Sequence, residues 1–342
     1  MAGYNQSTKL MGIFDGVNKI KNVYQGTAKL WASFTNRVLV TGTYQTDLYT
    51  LDGITFNSMA NVNSVSTVTL AASDGETILL ITNNNTIMKS SDNGATWVEV
   101  TKPGGSILYY GVVYGNGIWI IYTENVLYYS TDLTKWQSKT MTFEQYERFN
   151  SIIYTGGYFL FLTDFTLNSQ LTGFKTYKVT SVPFSESDVA IKKFTNAGNL
   201  YNDRKNACKY YIDKKMFLAA GYDGFIRSLD DGNTWSRFPY SNSNWLSRCY
   251  ITYGNGKYCA VMYYETATRV FYSTDLINWT IVDSIYYTSM SRKGIEFING
   301  RFMVIVDNTR IATSTDCINW TTVTVPYYGN DEFSLTAITN AY

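Results

Sequence analysis

Short apolar runs joined in pairs by glycine and asparagine recur along the chain: GVVYGNGIWIIY from Gly111, SIIYTGGYFLFL from Ser151, ITYGNGKYCAVMY from Ile251 and IEFINGRFMVIV from Ile295. Each pair predicts a β-hairpin, because Gly-Asn-Gly and Asn-Gly supply the positive φ that tight turns need. The runs are apolar at successive rather than alternate positions, so both faces of each strand are expected to be covered. Sheets stacked face to face satisfy that requirement.

A second pattern follows the hairpins. It reads SSDNGATW (90–97), STDLTKW (130–136), SLDDGNTW (228–235), STDLINW (273–279) and STDCINW (314–320), with a weaker copy, TLDGITF (50–56). The aspartates fall at Asp52, Asp92, Asp132, Asp230, Asp275 and Asp316, in steps of 40, 40, 98, 45 and 41. The long step predicts a degenerate unit at LTGFKTY (171–177), where the aspartate is missing but a glycine and a terminal aromatic remain. Seven units averaging roughly 44 residues match the blade length of a β-propeller, in which each blade is one four-stranded antiparallel sheet. The expectation is an all-β, seven-bladed propeller over residues 36–342.

Composition narrows the chemistry. The 342 residues carry 28 basic and 27 acidic side chains, a net charge of +1, so the basic excess of a phosphate-tracking nucleic-acid binder is missing. There is no histidine in the sequence, which excludes Ser-His-Asp and Cys-His nucleophiles and His-ligated zinc. Charged residues are 16% against a typical value of about 25%, while the chain carries 30 Tyr, 18 Phe and 8 Trp, a balance that reads as an all-β surface protein. No apolar run reaches the length of about 18 residues expected of a membrane span, and the first residues hold no apolar h-region of a secretory signal, so any extracellular role needs another export route, of which host lysis is one. Cys208, Cys249, Cys259 and Cys317 show no C-x-x-C spacing and read as buried thiols; no metal or cofactor is expected.

The repeated motif resembles the Asp-box of the bacterial neuraminidase (sialidase-like) repeat family, S-x-D-x-G-x-T-W, and recurs from about residue 37 to the end. The resemblance implies that each box is the turn between the third and fourth strands of a blade, on the face away from the ligand site. Ser90, Asp92, Gly94 and Trp97, with Asp132 and Trp136, Asp230, Gly232 and Trp235, Asp275 and Trp279, and Asp316 and Trp320, are then structural. Hydroxyl and carboxylate bond turn amides, glycine takes the strained φ and tryptophan wedges between blades.

The first unit, RVLVTGTYQTDLYTLDGITF from Arg37, lacks the innermost strand that precedes its counterpart at Arg301, and SLTAITNAY (334–342) reads as that strand with nothing after it. The C-terminal segment is expected to complete the first unit, leaving no open edge. Residues 1–35 stand outside the repeat, and GVNKIKNVYQGTAKLW (16–31) predicts a small hairpin around Gln25-Gly26-Thr27. It is similar to short lysine- and aromatic-containing hairpin segments in structural proteins of phages. That resemblance implies an anchor, through Val23, Tyr24, Leu30 and Trp31, to other virion structural proteins. The other reading lays the strand pair against the propeller itself.

Sialidases use three arginines, a Tyr-Glu nucleophile pair, an acid/base Asp and an Arg-Ile-Pro motif in the first blade. The chain has no Arg-Ile-Pro, and its prolines, Pro103, Pro183, Pro239 and Pro326, follow Lys, Val, Phe and Val. A carboxylate pair of another type would have to come from loop acids such as Glu144, Glu147, Glu265 and Asp283. No catalytic residue is assigned. The loops opposite the boxes hold Tyr109, Tyr110, Tyr146, Tyr240, Trp245, Tyr286, Tyr287, Tyr327 and Tyr328, rigid amphipathic side chains suited to glycan or protein recognition. The extra length at 181–207, with Lys192, Lys193, Asp203, Arg204 and Lys205, reads as a functional loop or a surface excursion. The resulting expectation is a non-enzymatic bacteriophage virion protein, of tail or capsid, displaying a propeller for host-surface attachment or particle decoration. A sialidase-like glycoside hydrolase and a bacterial protein-interaction propeller are the alternatives.

Overall fold

The computed structural model describes residues 38–325 apart from 43–47, 51–53, 59–67, 93, 106, 168–169, 186–188, 196–207, 221–223, 240–244, 265–266, 283–284, 286–293 and 308, together with 13–15, 18–20, 22–25, 28–32 and 335–340. The chain is all-β among these residues, with one 3₁₀ turn at Ile212–Lys214.

Six blades are each made of four consecutive antiparallel strands. Blade 1 comprises Val68–Ser73, Ile78–Thr82, Ile87–Ser90 and Val98–Val100; blade 2, Gly111–Gly115, Ile118–Tyr122, Val126–Ser130 and Gln137–Thr140. Blade 3 is Glu147–Tyr154, Phe159–Leu167, Gln170–Val179 and Ala190–Phe194; blade 4, Cys208–Tyr211, Met216–Ala220, Gly224–Ser228 and Ser236–Pro239. Blade 5 is Trp245–Gly254, Lys257–Tyr264, Ala267–Ser273 and Thr280–Val282; blade 6, Ile295–Ile298, Arg301–Ile305, Arg310–Ser314 and Thr321–Thr324.

The expectation of seven repeating blades is corrected to six contiguous ones. The first repeat unit forms no blade of its own, because its sequence supplies only three strands, Val38–Gly42, Leu48–Thr50 and Asn57–Ser58. These join Leu335–Asn340 from the other end of the chain in a composite sheet, with Ile338 opposite Val40 and Asn340 opposite Val38. Neighbouring blades touch in succession around the ring through their inner strands, except that the inner strand of blade 5 meets the second strand of blade 4, and Leu335–Asn340 meets both the inner strand of blade 6 and that of blade 1.

The stacking explains the continuous apolar runs. Leu79 and Ile81 of blade 1 pack with Val112, Trp119 and Ile121 of blade 2, and Ile120 and Tyr122 on the other side of blade 2 pack with Phe149 and Phe161 of blade 3. The same alternation continues to Val40 and Leu48 of the composite sheet, which meet Met303 and Ile305 of blade 6. Full burial of such a side chain contributes about 1.5–3 kcal/mol, so the stacked faces carry the fold. The hairpins turn as their sequence requires: Asn116-Gly117, Asn255-Gly256 and Asn299-Gly300 have positive φ at both positions, from 46° to 78°.

A second correction concerns blade 3. LTGFKTY (171–177) is no turn but part of the strand Gln170–Val179, paired with Phe159–Leu167 and Ala190–Phe194. Gly173 is there for close approach, since a Cβ would collide with the Phe194 carbonyl oxygen. The segment from residue 181 is likewise no excursion in its described part. Val182, Phe184 and Val189 pack against the core between blades 2 and 3, and Ala190–Phe194 is the blade's outer strand. Asp203, Arg204 and Lys205 lie outside the described residues.

The N-terminal segment forms two antiparallel strand pairs. Ile13–Asp15 pairs with Asn18–Ile20, and Asn22–Gln25 with Ala28–Ala32, placing Val23 opposite Trp31. The first pair had no signature in the sequence.

Candidate recognition face

Antiparallel order divides each blade's connections between two faces. The first-to-second hairpin and the third-to-outer turn share one face; the second-to-third turn and the connection to the next blade share the other.

The Ser-x-Asp turns occupy the first face and are built in two forms. In the long form, Ser228 Oγ donates to Asp230 Oδ1 at 2.8 Å and accepts Gly232 N at 2.9 Å, while Thr234 N and Oγ1 donate to the two carboxylate oxygens at 2.8 and 2.7 Å. Ser90, Asp92, Gly94 and Thr96 repeat this, and Gly94 and Gly232 have φ of 86° and 80°. In the short form no glycine is present. Leu133, Leu276 and Cys317 adopt φ of 61°, 70° and 61°, and each buries its side chain in the interface with the preceding blade. Asp275 Oδ1 accepts Ile277 N and Asn278 N, both at 2.8 Å; Asp132 and Asp316 accept the equivalent amides.

These bonds hold the carboxylates ionised. The Thr96 hydroxyl and amide bring Asp92 down to about 2, and the Lys135 and Asn278 amides depress Asp132 and Asp275 further. Burial opposes the shift at Asp230 and Asp316 but is outweighed by the Thr234 and Asn319 contacts. An acid held this far down has no proton to give near neutral pH. The tryptophans wedge between blades: Trp235 packs in the core between blades 3 and 4, Trp279 between 4 and 5, Trp320 between 5 and 6, and Trp136 between 1 and 2. Trp97 packs with Val68, Ile78 and Leu80 of blade 1 and Tyr49 of the composite sheet. The turns also latch neighbours, since Tyr158 of blade 3 donates to the Asp231 carbonyl at 2.8 Å and Lys257 of blade 5 to that of Asp316 at 2.9 Å. Asp52 lies outside the described residues.

The opposite face is the candidate site, and its described part centres on blades 2 and 3. Tyr146, in the connection between them, is 68% exposed, with φ of 63° in a turn closed by Glu147 N donating to Glu144 O at 3.0 Å. Phe143, half-buried beside it, meets Phe149 edge-on with ring centroids 4.9 Å apart and so anchors the turn. Glu124 lies in the neighbouring turn of blade 2, whose carbonyl accepts Phe149 N at 2.9 Å.

Beneath Tyr146 sits a buried ionic cluster that the sequence did not reveal, because its members come from three strands. Glu147 Oε1 accepts Thr163 Oγ1 and Tyr177 OH, both at 2.6 Å; Oε2 accepts Lys175 Nζ at 2.7 Å and Glu144 N at 3.1 Å. Two donors on each oxygen fill the carboxylate's acceptor sites. Lys175 Nζ also meets Glu144 Oε1 at 2.8 Å, and Lys193 reaches Glu144 at 3.4 Å. Burial lowers the Lys175 ammonium's affinity for its proton, but the bonds to Glu144 and Glu147 prevail and raise it; the Lys175 contact holds Glu144 low. On the other side of the same strands, Asp164, fully buried, accepts Arg148 Nε at 2.8 Å.

Tyr109 is corrected: it is 3% exposed, its hydroxyl donates to the Pro103 carbonyl at 2.6 Å, and its ring meets Tyr128 edge-on, so it is core and not a loop tip. Burial pushes its phenol up to about 12. Tyr110, next in the chain, turns to the other side of blade 2 and is half-buried there. Trp245 begins the inner strand of blade 5, while Tyr240, Tyr286, Tyr287, Tyr327, Tyr328, Glu265 and Asp283 lie outside the described residues. Of the 181–207 charges, Lys192 Nζ contacts Asn233 Oδ1 of the next blade's turn at 3.0 Å.

No family model and no curated protein sequence matches the chain. Solved structures do resemble it. YCF48 from Cyanidioschyzon merolae is 12% identical, over 75% of this chain and 83% of that one, with a TM-score of 0.51. YCF48 bound to D1 peptide is 11% identical, over 86% and 90%, with a TM-score of 0.51. A catalytically inactive virginiamycin B lyase from Staphylococcus aureus, solved with quinupristin, is 13% identical, over 80% and 90%, with a TM-score of 0.53. At these identities the likeness concerns architecture alone, and together with the ring of stacked sheets it makes the chain a β-propeller.

Proposed function

We propose that the chain is a non-enzymatic recognition propeller of a bacteriophage particle, which presents the face opposite the Ser-x-Asp turns to a host-surface glycan or protein, or to a neighbouring virion protein. The observation that carries the reading is Tyr146, a large aromatic held out in solvent on a turn anchored by Phe143 and Glu147. A pre-ordered tyrosine offers contact area with little further loss of side-chain freedom. The two acids nearest it converge on Lys175, and Glu147 already accepts four hydrogen bonds, which speaks for scaffolding and against proton transfer. The bonding of the five aspartate turns supports the Asp-box resemblance, and with it a structural role for those acids.

The pairing of Asn22–Gln25 with Ala28–Ala32, which sets Val23 opposite Trp31, agrees with the hairpin on which the anchor reading rests. Peptide binding by the similarly folded YCF48 agrees with a binding use of this architecture. On this reading the protein is assembled into virions in the host cytoplasm and leaves by lysis.

The test is binding of the labelled full-length chain to intact candidate host cells and to purified virion proteins, beside an assay for released reducing sugar. Saturable binding without release is expected. Sugar release, or binding to neither surface, contradicts the proposal.

A further inference from the structure

The short turns share a device that acquires different chemistry in one blade. The residue after the aspartate, held at positive φ, points into the interface with the preceding blade, where it joins side chains from that blade's second strand. Leu133 shares its cluster with Leu79, and Leu276 shares its cluster with Leu218. Between blades 5 and 6 the corresponding residues are both cysteines, Cys259 from the second strand and Cys317 from the turn, each fully buried in one cluster and each a free thiol.

Neighbouring bonds fix this juxtaposition independently. Two residues before Cys259, Lys257 Nζ donates to the carbonyl of Asp316, the residue before Cys317, at 2.9 Å. Asn255 Nδ2 donates to the Thr315 carbonyl at 2.8 Å and to that of Gly300 at 3.2 Å. The hairpin of blade 5 is thereby pinned to the turn of blade 6, with the Cys259 and Cys317 side chains buried in the one core cluster between these blades.

We propose that Cys259 and Cys317 are a latent inter-blade crosslink, closed by a low-molecular-weight disulfide as oxidant. One protein thiolate attacks the small disulfide, forming a mixed disulfide and releasing one small thiol. The second protein thiolate then displaces the other small thiol and completes the Cys259–Cys317 bond. Two protein thiols lose two electrons and two protons, and one small disulfide is reduced to two thiols. Burial first, and then the facing Cys317, hold the Cys259 thiol protonated well above the ordinary range. Reaction on the folded chain is therefore slow at neutral pH and quickens as pH rises. Closing a long loop restricts the unfolded chain, so the oxidised protein is expected to melt at a higher temperature.

The experiment incubates the folded full-length chain with oxidised glutathione across a pH series, quenches with N-ethylmaleimide, and reads intact mass, non-reducing peptide maps and thermal unfolding. Expected are the loss of two hydrogens, a Cys259 peptide joined to a Cys317 peptide, a rate that climbs with pH, and a raised melting temperature. C259S, with C317A as a second variant should the first fold poorly, abolishes both the linked peptide and the shift. Recovery of the two cysteines as separate adducts, a link formed only in denatured chain, or a link to Cys208 or Cys249 overturns the proposal.

Discussion

Ser228 shows how one hydroxyl fixes a turn: it donates to Asp230 and accepts the Gly232 amide, and it is 1% exposed. Ser228→Ala leaves the buried Gly232 N–H unpaired, and a loss of about 1–3 kcal/mol is expected in urea unfolding. The aspartates add a pH dependence with a definite sign. Asp92 is held at about 2, below its ordinary 3.8, so its contribution is complete above the unfolded value and is lost as pH falls from about 4 toward 2. Unfolding followed from pH 6 down to about 2 should show this loss, and Asp92→Asn should flatten it. The serines, aspartates and tryptophans were legible because the same letters recur at blade spacing. The residues at positive φ in the short turns were not, since glycine, which usually takes that conformation, is absent there and Leu133, Leu276 and Cys317 adopt it. Strain of about 1–2 kcal/mol in a left-handed residue is offset by burying its side chain against the previous blade.

Blade 3 is where the pattern in the letters and the element part company. Its missing aspartate pointed to a degraded turn at residues 171–177, yet that stretch continues as strand through Val179 and carries Lys175 and Tyr177 to Glu147. Such a cluster leaves no local signature, because Glu147, Thr163 and Lys175 meet only once three strands are paired. Removing one partner of a buried ion pair costs about 3–5 kcal/mol, whereas replacing both is often far milder. Lys175→Met alone is therefore expected to destabilise strongly. The double variant Glu147→Gln with Lys175→Met should lose less than the sum of the singles, and a double-mutant cycle by chemical denaturation measures the difference. Independent additivity would contradict the cluster's cooperation.

At the scale of the molecule, stability depends on closing the ring. The composite sheet needs Leu335–Asn340, without which Val38–Gly42 is an exposed edge beside blade 6. Deleting residues 333–342 should abolish the cooperative unfolding transition and promote aggregation, read by calorimetry and light scattering. The split of the first unit between the two ends of the chain was readable from its absent inner strand, whereas counting repeats alone gave seven blades where six are contiguous and the first unit is shared with Leu335–Asn340.

Which face of the propeller binds decides the proposed function. The direct measurement is a titration of labelled full-length chain on intact host cells, comparing Tyr146→Ala on the candidate face with Ile277→Lys on the exposed Ser-x-Asp turn of blade 5. A tyrosine anchor is worth about 2 kcal/mol or more, so Tyr146→Ala should weaken binding about thirtyfold or more, while Ile277→Lys leaves it unchanged. Binding that survives Tyr146→Ala and falls with Ile277→Lys would place recognition on the opposite face and contradict the account.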